Sequence, residues 1–275
     1  MLEQPRRPVS TRPRLLAAGV ACAAAVVLAS AATPTNAAAP LRGAPLPLPL
    51  AQNGAPWLTS SSEHFDIYFT PPQAGRVGDL TYEAERAYTD LSTAMKYDLN
   101  DRVRLVLVDR DRDIENGQRW TADITRGSAR RTASVIVIST ESLDGQPGIL
   151  LHELTHSFVL QIAPEATRVA PGLIEGLADH QRGVWTADAV RGMRDAIGSA
   201  WIPRVEDIGN ADRFWSHALF DFVAERYGGE GIRRCLFVLR SRPRLAEVIP
   251  VAFGTSMEAF EQAFRAYLTA RFGER

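Results

Sequence analysis

The chain has 275 residues, with 31 basic and 32 acidic side chains and a formal net charge of −1. So even a balance gives no broad cationic surface for phosphates, which excludes nucleic acid as a partner. Its two cysteines are Cys22 and Cys235; the first falls in a leader, so the mature chain can form no internal disulfide and relies on packing and any metal it holds.

Residues 1–39 read as an export signal. Arg6, Arg7, Arg12 and Arg14 form a basic n-region, 15–32 an Ala/Val/Leu-rich run, and Thr35-Asn36-Ala37 or Ala37-Ala38-Ala39 a small-residue cleavage site. The protein is therefore expected outside the cytoplasm, secreted or in the cell envelope. A membrane enters only if this segment stays uncleaved. Residues 40–56 form a linker, because Pro40, Pro45, Pro47, Pro49 and Pro56 forbid a regular helix or central strand. One domain is expected over 57–275, divided into a sheet with the active-site helix (57–163) and a helical lobe (164–275).

Phe65-Asp66-Ile67-Tyr68-Phe69 alternates as a strand and ends at Pro71-Pro72. Over 76–97, Val77, Leu80, Ala84, Ala87, Tyr88, Leu91 and Met95 recur at helical steps. Val103–Val108 reads as a second strand and Val135-Ile136-Val137-Ile138 as a third. The charged stretch between them, 109–131, is too long for a turn and is expected to carry a hairpin around Trp120 bordering a cleft. Its Arg126, Arg130 and Arg131 read as a solvated face. Helices are expected over 147–162, 172–183, 212–227, 229–240 and 256–272. Strands followed by helices predict an α+β class with the site at the junction.

The 147–162 helix contains His152-Glu153-Leu154-Thr155-His156. Gly145 and Pro147 mark its start, Pro164 stops it, and Leu151, Leu154, Phe158 and Ile162 form its core stripe. His152, Glu153 and His156 fall off that stripe and face a cleft. Residues four apart sit one above the other, so the two imidazoles can meet one metal. Catalytic zinc takes three protein ligands and leaves a position for water. Glu153 is placed to reach that water rather than to ligate, so its expected role is general base. The plain alternative is a helix whose two histidines are satisfied by core or solvent.

A third ligand must come from elsewhere, and Glu175 is the candidate. Pro171-Gly172 opens its helix, and Leu173, Ile174, Leu177 and Ala178 give the apolar face. Asp179, four residues on, points to the same side and is assigned the carboxylate that accepts the free ring N–H of a ligating His. His217 is a candidate oxyanion donor, set against a helix His satisfied at the lobe interface. Tyr227, before Gly228-Gly229, reads as a core or capping aromatic, His64 and His180 as surface residues or supports of the ligands, and Cys235 as a buried structural thiol.

The five-residue motif, eighteen intervening residues and then Glu175-Gly176-Leu177-Ala178-Asp179 resemble the gluzincin metallopeptidases, the clan of thermolysin and aminopeptidase N. The eighteen-residue spacing is that of the aminopeptidase N branch. Ser62-Glu63-His64-Phe65-Asp66-Ile67-Tyr68-Phe69 and Leu219-Phe220-Asp221-Phe222-Val223-Ala224-Glu225-Arg226-Tyr227-Gly228 resemble the small bacterial peptidase-MA-like domains, so the likeness spans about 60–272 and is strongest over 150–180. It implies a zincin-like (thermolysin-like) fold, with an N-terminal mixed-sheet lobe, a C-terminal helical lobe and the active site between them. It also implies His152, His156 and Glu175 as ligands of Zn2+, Glu153 as base, and the strand at 133–139 lying along a peptide substrate.

Two departures matter. There is no Gly-Ala-Met-Glu-Asn-type stretch to hold a free amino terminus, and no match for the downstream Tyr that stabilises the oxyanion in the aminopeptidase N branch. The expected function is therefore an exported zinc peptidase cutting peptides or proteins internally. A zinc hydrolase of a non-peptide amide or ester, and a non-catalytic binding protein of zincin fold, are the alternatives. Glu153 speaks against the last, because metal binding alone does not need it.

Overall fold

The computed structural model describes residues 56–114, 135–211, 213–242 and 244–273, all within the unit Leu46–Arg275. The export signal, the linker up to residue 55, the hairpin expected at Trp120 and the Arg126/Arg130/Arg131 cluster lie outside the described residues.

Strands β1 (Leu58–Ser61), β2 (Phe65–Phe69), β3 (Val103–Val108) and β4 (Val135–Ser139) form one mixed sheet in that order. β1 runs antiparallel to β2, whereas β2, β3 and β4 are parallel. Side-chain alternation divides the sheet's two faces. Phe65, Ile67, Leu105, Leu107, Ile136 and Ile138 join the main core, while Tyr68, Val106 and Val108 form a smaller cluster on the other side. Burial on both faces explains why β3 reads as an unbroken apolar run. β1 was not expected from sequence: its Leu-Thr-Ser-Ser is mostly exposed at the sheet's edge and carries no alternation signal.

Helix α1 (Val77–Met95) links β2 to β3 and buries all seven of the residues that mark its period. After β4 every regular element among the described residues is helical: α2 (Thr140–Gly145), α3 (Ile149–Ile162), α4 (Pro164–Val169), α5 (Pro171–Arg182), α6 (Ala187–Gly198), α7 (Arg213–Leu239), α8 (Leu245–Phe253) and α9 (Met257–Phe272), with a 3-10 turn at Val205–Asn210. The architecture is thus α+β. The two helices expected at 212–227 and 229–240 are the two halves of α7, broken at the expected place, where Gly228 takes φ +67° and ψ −177°, a backbone that suits glycine alone. Helices α2, α4, α6 and α8 went unanticipated. Only Met193 is buried in α6, so it shows no core stripe, and Pro250 inside α8 argues against a helix there.

The core is a succession of helices: α1 against α3, α3 against α5, α5 against α7. Cys235 is buried in α7, and burial pushes its thiol up to about 12, so it is a packing residue and no nucleophile.

Candidate metal centre

Helix α3 starts at Gly148, in left-handed conformation, and stops at Ala163 before Pro164. Leu154, Phe158 and Ile162 are buried as expected, and Leu151 is half-buried. The motif side chains are less open than their position off the stripe suggested. His152 is only 5% exposed, because α5 packs over it; His156 and Glu153 are half-buried.

Glu175 on α5 meets both histidines. His152 Nε2 lies 3.3 Å from His156 Nε2 and 3.5 Å from Glu175 Oε2, and His156 Nε2 lies 3.4 Å from Glu175 Oε1. A tetrahedral ion with bonds of about 2.0–2.1 Å requires ligand atoms about 3.3–3.4 Å apart. The two imidazole nitrogens, and each of them with the Glu175 oxygen it faces, stand about that far apart, and among the described residues these three are the one group of three or more metal-ligating side chains brought together. Charge points the same way. Among the described residues, the carboxylates of Glu153, Glu175 and Asp179 surround the two histidines with Arg213 beside them, a negative setting that favours positive charge at the imidazoles' position and suits a divalent ion.

Asp179 supports this triangle. His152 Nδ1 is buried without an aligned hydrogen bond and lies 3.2 Å from Asp179 Oδ1, an ion-pair contact. Burial disfavours the charged form of His152, but the carboxylates of Asp179, Glu175 and Glu153 outweigh it and raise its pKa to about 9. His156 moves the other way: burial lowers it and His152 adds to the effect, against Glu175. The hydrogen bond with His152 keeps Glu175 low despite burial. Burial would raise Asp179, but His152 and Arg213 hold it low. Replacing Asp179 by Asn should weaken zinc affinity roughly 10- to 100-fold, as measured by competition with a chelator. Unchanged affinity would show that Asp179 contributes nothing to the site.

Arg213, the first residue of α7, went unnoticed in the sequence. Its Nε donates to Asp179 Oδ2 at 2.8 Å and its Nη2 to Oδ1 at 3.1 Å, while Nη1 lies 3.8 Å from Glu175 Oε2. Nothing in the sequence marks it: it directly follows Asp212, and its partners Asp179 and Glu175 lie on another helix.

Glu153 lies close enough to act electrostatically on both histidines, and among the described residues it makes no hydrogen bond or ion pair. Its carboxylate is free to take a proton. His217 is placed differently from an oxyanion donor open to the cleft. It is buried on α7, stacked on Trp185 at 4.1 Å, with Nε2 3.6 Å from Asp221 Oδ1. Burial drops its pKa to about 4.

The remaining candidates are engaged elsewhere. His180 Nδ1 meets Asp221 Oδ1 at 2.7 Å. His64 Nδ1 meets Glu85 Oε2 at 2.6 Å while its ring stacks on Tyr88, tying β2 to α1. Tyr227 stacks on Phe253 in the core. No family model, no curated protein and no solved structure matches this chain.

Proposed function

We propose that this chain is an exported zinc peptidase of zincin-like fold that cleaves peptides internally. One observation carries the reading: two histidines a turn apart on α3 and a carboxylate from α5 bring their donor atoms to within 3.3–3.5 Å of one another in pairs, the separation zinc ligands need, beside an uncommitted Glu153. His152, His156 and Glu175 would hold the ion. Zinc supplies Lewis acidity, which makes water nucleophilic near neutral pH and polarises the scissile carbonyl. Glu153 accepts the water's proton and returns it to the leaving amine. Arg213 and Asp179 fix the donor atoms, so little reorganisation accompanies the reaction.

Substrate orientation follows from the sheet. Among the described residues β4 pairs only with β3, so its other edge offers backbone groups to an extended peptide beside α3. Internal cleavage is favoured because the two carboxylates that precede the motif helix, Glu141 and Asp144, are taken. Asp144 is held by Arg76 through two hydrogen bonds of 2.5 and 3.0 Å, and Glu141 accepts the N–H of Asp111 at 3.1 Å. Neither is free to anchor a peptide's amino terminus. Export rests on the N-terminal sequence alone; no helix among the described residues is long and apolar enough to cross a membrane.

Incubating the purified protein with a peptide library, and reading products by mass spectrometry, tests this. Internal cuts should appear, vanish with a chelator, return with zinc, and be unaffected by acetylating the substrates' amino termini. Loss of cleavage on acetylation, with single-residue products, would make it an exopeptidase. No chelator-sensitive cleavage at all would remove the peptidase reading.

A further inference from the structure

A second polar site lies on the same helices as the metal centre, farther along α7. Asp221 and Glu225 stand about one turn apart on one side of α7, with Glu225 about 18 Å along the helix from Arg213. Here a pocket of about 300 Å³ opens between the end of α5, Trp185, α7 and the last turn of α9. That volume suits a small ligand.

Asp221 organises the pocket. Its side chain is 13% exposed and takes His180 Nδ1 at 2.7 Å, Trp185 Nε1 at 2.9 Å and Arg271 Nη2 at 3.3 Å. Two consequences follow. With its Nδ1 proton directed to the carboxylate, His180 keeps Nε2 as a bare acceptor. The charge of Arg271 is also already opposed by Asp221.

Beside Arg271, half exposed and paired with Asp221, the other polar groups the pocket offers are acceptors. Glu225 lines the pocket and makes no ion pair among the described residues. His180 Nε2 offers a lone pair. Gly183, at φ +71°, closes α5 here, so the pocket sits at the negative end of that helix's dipole. These groups all accept hydrogen bonds, and Glu225 leaves one unbalanced negative charge. An anion would meet repulsion. A metal ion would find only His180 and Glu225 still free, and no third metal-ligating side chain joins them among the described residues.

We propose that this pocket binds a compact organic cation, a primary ammonium or guanidinium group such as a lysine or arginine side chain presents, through Glu225 and His180. The site does not depend on the peptidase reading and needs no zinc.

The test is a titration of the full protein with agmatine and with n-butylammonium, following the indole N–H resonance of Trp185, assigned by its disappearance in Trp185→Phe. Both cations should shift it saturably, and butyrate should not. Glu225→Gln, an exposed position whose change leaves the fold intact, should weaken both cations tenfold or more, while Glu258→Gln, on α9, should leave them unchanged. An absent shift with both cations, equal affinity in Glu225→Gln, or tighter binding of butyrate would overturn the proposal.

Discussion

Replacing Glu153 by Gln should leave about one zinc per chain and a normal melting temperature, yet lower peptide turnover by roughly 10²- to 10⁴-fold. Gln keeps the shape and some hydrogen bonding of Glu but cannot accept the water's proton. The separation is expected because Glu153 stands outside the ligand triangle and has no structural partner among the described residues. Measuring metal content and kcat on one preparation distinguishes a lost base from a lost metal. Hydrolysis near the wild-type rate would remove Glu153 from the chemistry.

The second large effect lies at a helix crossing. A Cβ on Gly176 would fall 2.1 Å from Ser216 Cβ and 2.5 Å from the backbone N of His217. Neither atom is the loose end of a flexible side chain, so α5 and α7 must separate. Gly176→Ala should therefore cost about 3 kcal/mol or more, at the upper end for overpacking. For a chain of this size that is a fall of roughly 6–12 °C in Tm. Gly176 stands between Glu175 and Asp179, so zinc affinity should fall with stability. Gly78→Ala on α1, where nothing lies within 4 Å, is the control and should be neutral or slightly stabilising. Equal melting of Gly176→Ala and the wild-type protein would contradict the close crossing.

Legibility in the sequence followed the range of the interaction. α1 and α3 were readable because each buries a stripe whose period survives in one dimension, and β3 because burial on both faces leaves an unbroken apolar run. The site was readable because its parts are local: His152 and His156 lie one turn apart, and Glu175 and Asp179 repeat that spacing on α5. α6 was hidden because it lies on the surface with Met193 its one buried residue. Arg213 was hidden because Asp179, its partner, is 34 residues away in sequence, and the two meet through the packing of α5 on α7, closest at Gly176. Of the two readings of His217, an oxyanion donor or a helix His satisfied by its neighbours, its surroundings fit the second: Asp221 lies one turn along the same helix, whereas the stacking Trp185 is a contact the sequence does not mark.

The most direct test of the zinc site is elemental analysis of the purified protein beside its His152→Ala/His156→Ala variant, each dialysed after exposure to excess zinc. A site built from His152, His156 and Glu175 predicts about one equivalent of zinc in the wild-type chain and almost none in the variant. Stoichiometric zinc in the variant, or none in the wild-type chain, would contradict it.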